Sequence, residues 1–478
     1  MTARQIGLWL GPALFAMTII IPAPAGMDQS AWHVAGLVGW MAAWWMTEAI
    51  PLAATALLPF LVLPLAGAGT AKLVAGDYYS PILFLLLGGS FLALAIERTG
   101  LHKRLAVAIL DAIGGRGGAT GLLLGFMMAA AILSNIISNT STALIMMPMA
   151  LAVLAGGEAA RSPDDALPQL GLAGALPMGI AFAATIGGLG TVIGSPTNAI
   201  SVALLAETTG LDISFAMWAA FGVPMVLLGV PLACWIIARV QKVALHPFDI
   251  RAARAAIHDP RAWTSAERRL VVIVALTFIA WMTRPLYAGL LPEDSVTDGT
   301  IAVFAALALF ILPDGTGRRM IVWREADRAP WGVILMFGGG LALAAAMTRT
   351  GLAGWLGEAL LPLANVPMVL VALAVVAMVI LVTEFASNIA TASGFMPVVA
   401  SLAIAIGGDP VLLGMSAALA ASWGFVLPSG TGPNALAWST GRIALPRLVK
   451  AGLALDLVGI VLIVAVVWAV VWAVAAVL

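Results

Sequence analysis

Long apolar segments follow one another along most of this chain, and short polar or glycine- and proline-rich stretches separate them. A helix needs about 20 apolar residues to cross the hydrocarbon core of a bilayer. The pattern therefore predicts an all-α polytopic membrane protein with eleven transmembrane helices. The predicted crossings cover residues 6–22, 31–46, 50–67, 79–97, 168–206, 214–238, 270–287, 300–313, 331–347, 411–441 and 451–477.

Two further apolar regions, residues 119–155 and 368–406, are each split near the middle by polar residues. The halves are short for full crossings, so we predict a re-entrant helical hairpin in each region. The first enters from the inside and turns at Ser138 to Thr140, and the second enters from the outside. Irregular backbone at this depth is tolerated only where it faces protein or a watery cavity. Both tips are therefore predicted to line a cavity.

Glycine and proline interrupt two of the predicted crossings. The segment 168–206 contains GGLGTVIGSPTNA at residues 187–199, and the segment 411–441 contains a similar stretch. These residue types disfavour a continuous helix. Both segments are therefore predicted to be broken helices, each with its gap near the midplane.

The two halves of the chain repeat each other in sequence. Three sets of residues match: Ser138, Asn139, Thr142, Ala143, Met147 and Pro148 with Ser387, Asn388, Thr391, Ala392, Met396 and Pro397; Gly194, Asn198 and Ala199 with Gly430, Asn434 and Ala435; and Gly88, Gly89 and Arg98 with Gly339, Gly340 and Arg349. The glycine pairs are expected to serve close helix packing. Helices 2–6 and 7–11 are predicted to form two five-helix repeats, and an odd number gives them opposite orientations. Such duplicated polar breaks indicate a midplane binding site in a transporter.

The charge distribution predicts how the chain is oriented. The chain is 62% hydrophobic and 10% charged, with 23 basic and 23 acidic residues, so its net charge gives no sign of a nucleic-acid partner and none is expected. Basic residues mark the cytoplasmic side, which predicts a plasma (inner) membrane protein with a cytoplasmic N-terminus and an external C-terminus. The predicted regions are 1–30, the first helix and loop; 31–238, the first repeat; 239–269, a basic cytoplasmic loop; and 270–478, the second repeat.

Hydroxyl and amide side chains dominate the tips and gaps, together with carbonyls freed by the broken backbone. These are neutral oxygen ligands of the kind that transporters use for sodium. Ser134 precedes Ser138 by four residues, and Thr383 precedes Ser387 by four. On a helix, this spacing puts both hydroxyls of a pair on one face. Each pair is therefore predicted to hold one cation, which gives two sodium sites.

These stretches contain no lysine or arginine. An anion would therefore be held by amides, by helix N-termini and by the charge of the bound cations, so that its binding depends on sodium. Asn139 and Asn388 are the natural donors to the two carboxylates of a small dianion.

Other interpretations of the same residues stay open. Ser and Thr also join membrane helices by hydrogen bonds, and Glu384 could carry a proton or orient the hairpin helix. A sodium-independent exchanger, a proton-coupled carrier, or a transporter of sulfate or another oxyanion would use similar polar stretches. A channel or a membrane-embedded enzyme is disfavoured, because the sequence has no His/Asp/Glu cluster, nucleotide loop or metal motif.

At these residues the chain resembles the divalent anion/sodium symporter family, which includes sodium-coupled dicarboxylate and citrate transporters and related dicarboxylate exchangers. The similarity covers nearly the whole chain and includes WWMTEAIPL at residues 44–52, both tips and both gaps. It implies a homodimer in which each protomer has a scaffold and a transport domain that moves like an elevator. It also implies sodium-coupled symport of a small divalent anion, above all a C4-dicarboxylate such as succinate or malate.

The resemblance assigns the site residue by residue. The family's first sodium site maps onto Ser134, Ser138, Asn139 and the Gly194 loop. Its second sodium site maps onto Thr383, Ser387, Asn388 and the Gly430 loop. Its substrate contacts map onto Asn139, Thr140, Ser195, Asn388, Thr431 and Gly432.

The chain departs from the family pattern at three positions. Ile389 stands where the family usually has a threonine, and Thr197 and Gly432 stand where a proline is usual in the two gaps. Ile389 lacks a hydroxyl and adds bulk. Since a hydrogen bond to a charged group is worth about 1.5–3 kcal/mol, this position is expected to influence which anion is preferred.

Overall fold

The computed structural model of the chain describes residues 2–113, 118–157, 169–245, 262–293 and 295–475. Over these ranges the chain forms helices joined by turns, without a β-strand. Ten of the described helices are long and apolar enough to cross a membrane. The predicted all-α polytopic class is therefore confirmed. Most of the predicted cytoplasmic loop 239–269 lies outside the described residues.

The first half contains twelve described α-helices: α1 Ala3–Ile20, α2 Gln29–Thr47, α3 Leu52–Thr55, α4 Leu58–Leu65, α5 Ala71–Asp77, α6 Pro81–Thr99, α7 Leu101–Ile113, α8 Gly118–Ser134, α9 Asn139–Gly157, α10 Leu172–Gly187, α11 Pro196–Thr209 and α12 Phe215–Val240. The described helices of the second half are α13 Ser265–Tyr287, α14 Asp298–Ile311, α15 Trp323–Ala326, α16 Trp331–Arg349, α17 Leu352–Leu360, α18 Met368–Phe385, α19 Asn388–Ala405, α20 Pro410–Ala420, α21 Gly432–Ser439 and α22 Leu445–Ala475. We call α8 with α9 hairpin one, and α18 with α19 hairpin two.

One predicted crossing is divided in the structure. Residues 50–67 form two short helices, α3 and α4, instead of one continuous helix. Pro59 occupies the first turn of α4. Proline has no N–H to donate, so Pro59 cannot bond to the carbonyl of Thr55 as a continuous helix would require. The chain therefore turns at Ala56 and Leu57 before it resumes as a helix.

The glycine pairs lie where helices approach closely, as predicted. A β-carbon on Gly88 of α6 would lie 2.5 Å from the carbonyl oxygen of Ala302 in α14. A β-carbon on Gly339 of α16 would lie 2.4 Å from the carbonyl oxygen of Ala56. Both contacts are with backbone, which has no side-chain freedom to yield, so any larger residue would force the helices apart.

Two arginines at equivalent positions join the halves of the chain. Arg98, at the end of α6, pairs with Asp314 and donates to the carbonyl of Met320. Arg349, at the end of α16, pairs with Asp77 at 3.0 Å and donates to the carbonyl of Ala68 at 3.1 Å. Each arginine thus binds a carboxylate and a carbonyl from the opposite half.

The carboxylate of Asp314 is held ionised by its neighbours. Burial alone would raise its pKa, but hydrogen bonds from Thr316 and from the guanidinium of Arg98 outweigh burial and lower the pKa from 3.8 to about 2. The folded state therefore binds a proton less readily than the unfolded state. The resulting stabilisation is fully present above about pH 4 and is lost as the pH falls through about 2.

We therefore expect Asp314→Asn to lower the free energy of unfolding by about 2 kcal/mol at neutral pH. Melting temperatures of the purified protein in detergent, measured from pH 7 down to pH 2.5, test this. The difference between wild type and variant should shrink toward the acid end. Asp327→Asn, which changes an exposed carboxylate of the same segment, is the control. A difference that stayed constant with pH would contradict the assignment.

Candidate functional site

Each hairpin tip is a short break between two helices. In hairpin one, α8 ends at Ser134 and α9 begins at Asn139. In hairpin two, α18 ends at Phe385 and α19 begins at Asn388. The two asparagines that were matched in sequence therefore stand at the same structural position, the first residue of the second hairpin helix.

The expectation that Ser134 and Ser138 share a helical face is wrong, and so is the same expectation for Thr383 and Ser387. In both hairpins the first helix ends before the second hydroxyl is reached. The hydroxyls of Ser138 and Ser387 each accept a hydrogen bond at 3.2 Å from the backbone N–H three residues later. They therefore cap the following helix, and capping of this kind favours a new helix start over continuation of the old one.

The predicted gaps lie in the two broken crossings. The first gap, residues 188–195, contains two short 3-10 turns and connects α10 to α11. The second gap, residues 421–431, connects α20 to α21. Both gaps leave backbone carbonyls without helical partners, which makes these carbonyls available to a ligand.

The hairpins and gaps of the two halves interlock. Helix α11, which follows the first gap, packs against α19 of hairpin two, and α21, which follows the second gap, packs against α9 of hairpin one. A β-carbon on Gly432 would lie 2.5 Å from the hydroxyl oxygen of Thr140. A β-carbon on Gly188 would lie 2.2 Å from the side-chain amide of Asn139. The tip of hairpin one therefore meets backbone at both gaps, with glycine providing the space.

The side-chain amide of Asn139 meets three oxygen atoms at the tip of hairpin one. Its nitrogen lies 2.7 Å from the hydroxyl of Ser134, 3.2 Å from the carbonyl oxygen of Ala184 and 3.3 Å from that of Gly194, and donates to these acceptors. A turn of the amide would bring its oxygen to the same place and leave a group of neutral oxygen atoms, which is a suitable ligand set for a cation.

The tip of hairpin two brings the same kinds of group together. The hydroxyl of Thr383 lies 2.9 Å from the side-chain oxygen of Asn388 and 2.7 Å from the carbonyl oxygen of Ala421. One hydroxyl proton can satisfy only one of these oxygens at a time. A hydroxyl, an asparagine side chain and a gap carbonyl or its neighbour therefore meet twice, once in each half.

The helix starts create a favourable place for negative charge. Helices α9, α11, α19 and α21 all begin at a tip or a gap, and a helix N-terminus carries about half a positive charge. The tips and gaps contain no lysine or arginine. The positive potential available to an anion therefore comes from backbone N–H groups and from any bound cation.

The six residues assigned to the substrate lie at these helix starts. Thr140 and Gly432 are exposed, Asn139 and Asn388 are half-buried, and Ser195 and Thr431 are buried. The hydroxyl of Thr431 accepts from the backbone N–H of Asn434 at 3.2 Å and so caps α21.

The departures from the family pattern have distinct surroundings. The side chain of Ile389 packs against both apolar clusters of the protein, so it contributes contact area and no hydrogen bond. Gly432 leaves room for Thr140. Thr197 is buried in the first turn of α11.

Two residues that hold the gaps together were not predicted as site residues. The side-chain amide of Asn198 donates to the carbonyl oxygens of Gly188 at 2.7 Å and Thr191 at 2.8 Å. The amide of Asn434 donates to the carbonyl oxygen of Leu427 at 3.2 Å. Both residues belong to the second matched set of the repeat, and that matched position was the signal that pointed to them.

Glu384 is buried and binds backbone. Its two carboxylate oxygens accept from the N–H groups of Val426 and Leu427, both at 2.9 Å. Its carboxyl group also contacts that of Asp456, which in turn bonds to the backbone of Phe425. Glu384 thus connects hairpin two to the second gap. This contact favours a role for Glu384 in positioning the backbone of the second gap, and not in orienting the hairpin helix.

Comparison with protein families and with curated proteins gives consistent matches. The family model described as the sodium:sulfate symporter transmembrane region matches residues 3–478. A relative from Staphylococcus saprophyticus, described as the sodium-dependent dicarboxylate transporter SdcS, is 37% identical over 97% of this chain and 91% of its own length. A protein of the same description from Staphylococcus aureus is 37% identical over 98% of this chain and 91% of its own length.

Two solved transporter structures share the fold. The Alcanivorax borkumensis YdaH transporter has a TM-score of 0.56 at 14% identity and covers 99% of this chain and 98% of its own. Neisseria gonorrhoeae MtrF has a TM-score of 0.57 at 11% identity, and the match covers 98% of this chain and 94% of MtrF. These likenesses concern the fold alone.

The family match spans almost every residue, and it includes both tips and both gaps. The chain therefore belongs to the sodium:sulfate symporter family, which is the divalent anion/sodium symporter family that its motifs resemble.

Proposed function

We propose that this protein is a sodium-coupled symporter of a small divalent anion, a C4-dicarboxylate such as succinate or malate. The observation that carries the proposal is the cluster of hydroxyl, amide and carbonyl groups at each hairpin tip, placed beside four helix N-termini. Cations would bind the oxygens of these clusters, and their charge would add to that of the helix starts. The relatives described as sodium-dependent dicarboxylate transporters support the same two solutes, sodium and a dicarboxylate.

Two sodium ions are proposed, one at each tip. The first would be held by Ser134, Ser138, Asn139 and the carbonyl of Gly194. The second would be held by Thr383, Ser387, Asn388 and the carbonyl of Gly430. The hydroxyls of Ser138 and Ser387 each use one lone pair for capping and keep the other for a cation.

The dianion is proposed to lie between the two tips. Its carboxylates would accept hydrogen bonds from Asn139 and Thr140 at one end and from Asn388 at the other. Ser195, Thr431 and the backbone at Gly432 would supply further donors. Binding of the anion without sodium would place two negative charges in a site that has no cationic side chain. Sodium and substrate therefore have to bind together.

The finer architecture is proposed on the same basis. Eleven crossings and two re-entrant hairpins form two inverted repeats, at residues 31–238 and 270–478, and the N-terminus is cytoplasmic and the C-terminus external. The reciprocal contacts of Arg98 and Arg349 with opposite halves support the inversion. A homodimer whose transport domains move like elevators is proposed from the family resemblance.

Transport by the purified protein in liposomes tests the coupling. Uptake of radiolabelled succinate should require an inward sodium gradient, and replacement of sodium by potassium should reduce it by at least about tenfold, the scale of coupling between two bound ligands. Equal sodium concentrations on both sides should reduce accumulation to equilibration. Uptake that is unchanged in potassium would reject the coupling and favour the exchanger.

A sodium-linked oxyanion carrier is the second candidate. It is favoured by Ile389, which replaces a hydroxyl donor with an apolar side chain, and by the sulfate in the family description. A thermal-shift screen of succinate, malate, citrate and sulfate, with and without sodium, separates the candidates. A ligand that binds the folded state raises the melting temperature by mass action. The dianion with the largest sodium-dependent shift is the substrate class.

A further inference from the structure

A cavity of about 310 Å³ lies between the tip of hairpin one and the loop that precedes α16. Its lining includes Ser138, Ser141 and Gly194, which belong to or adjoin the proposed first sodium site. Its lining also includes two charged side chains, Arg328 from the loop and Glu97 from α6. The cavity therefore connects the neutral site to one residue of each sign.

Hairpin one is more open than hairpin two. Ser138 and Thr140 at the first tip are exposed, whereas Ser387 and Asn388 at the second tip are half-buried. The cavity thus lies on the side on which the site is accessible. Arg98 and Arg104 at the end of α6 and in α7 lie on this same side, and basic residues mark the cytoplasmic face.

The charge of Arg328 is available to a solute in the cavity. Arg98 and Arg318 of the same region are paired with Asp314 and Glu325. Arg328 is exposed and takes part in no ion pair within the described part of the chain. Glu97 is half-buried on the facing wall and likewise has no ion-pair partner among the described residues.

We propose that Arg328 sets the affinity of the transporter for its dianion at the cytoplasmic face, by attracting the anion into this cavity, and that Glu97 opposes it. The inference rests on the proposed function. The site itself lacks cationic side chains, and among the described residues that line this cavity Arg328 is the one with a positive charge. A charge in a cleft concentrates ions of opposite sign, over a range of about 8 Å at physiological ionic strength.

The proposal predicts an effect that is confined to one side of the membrane. Arg328→Gln should raise the KM for the dianion at the cytoplasmic face about three- to tenfold and leave the KM at the external face unchanged. Glu97→Gln should lower the cytoplasmic KM, and Arg328→Lys should restore it. Both shifts should weaken as salt rises. A side chain with only a structural role would not produce opposite shifts of this kind.

Succinate uptake into inside-out and right-side-out membrane vesicles, at fixed sodium, measures the two values separately. Arg324→Gln is the matched control, because Arg324 is exposed in the same segment but does not line the cavity. Equal changes at both faces, a change at the external face alone, or the same change in Arg324→Gln would overturn the proposal. Failure of the proposed function would be distinct, because wild-type vesicles would then show no sodium-dependent uptake.

Discussion

Replacement of Asn139 by alanine is expected to reduce sodium-driven uptake at least a hundredfold. The side-chain amide of Asn139 contacts Ser134, Ala184 and Gly194 at the first tip; its oxygen is a proposed sodium ligand, and its nitrogen is the proposed donor to a substrate carboxylate. A hydrogen bond to a charged group is worth about 1.5–3 kcal/mol, which is roughly one to two factors of ten. Loss of a cation ligand at the same time adds to this penalty.

The equivalent change in the second half, Asn388→Ala, should have an effect of the same size, because the two asparagines occupy matched positions. Initial uptake rates in liposomes, together with the sodium dependence of the rate, measure both variants. Ser401→Ala is the control, since Ser401 lies on α19 several turns from the tip and bonds to its own helix at Pro397. Full activity in either asparagine variant would exclude that residue from the site.

Replacement of Glu384 by alanine is expected to lower the free energy of unfolding by about 3–6 kcal/mol. Its carboxylate accepts two backbone hydrogen bonds from the second gap, each to a charged acceptor and each worth about 1.5–3 kcal/mol. Their loss leaves the N–H groups of Val426 and Leu427 unsatisfied in a partly buried region, and Asp456 loses its contact. The gap that carries Gly430 would then be less well ordered.

The sodium dependence of uptake distinguishes this positioning role from stability alone. Glu384→Gln keeps one acceptor oxygen, so it should fold better than the alanine variant while still requiring more sodium for half-maximal uptake. Glu358→Ala, which removes an exposed carboxylate from α17, serves as the control. A Glu384→Gln variant with normal sodium dependence at pH 6 and pH 8 would show that the second gap does not need this carboxylate.

Much of the architecture could be predicted from the local pattern of apolar and polar residues along the chain. Apolar length predicted the membrane helices, and the matched asparagines at 139 and 388 predicted equivalent tips, both of which begin a helix in the structure. The break at residues 50–67 was not predicted, because apolar length outweighed the three prolines at 51, 59 and 64. The four-residue spacing of Ser134 and Ser138 led to a wrong expectation of a shared helical face. Helix α8 ends at Ser134, so Ser138 lies beyond the helix.

The sequence by itself determined that this chain is a membrane-embedded bundle with two related polar breaks, since apolar length, glycine and proline act on the chain locally. Only the tertiary structure decided that Gly432 meets Thr140 of the other half, that Glu384 holds backbone 42 residues away, and that Arg328 lines the cavity beside the first tip. These contacts join segments that are far apart along the chain. Their partners depend on how the helices pack, and residue type at one position carries no information about which distant backbone group will lie beside it.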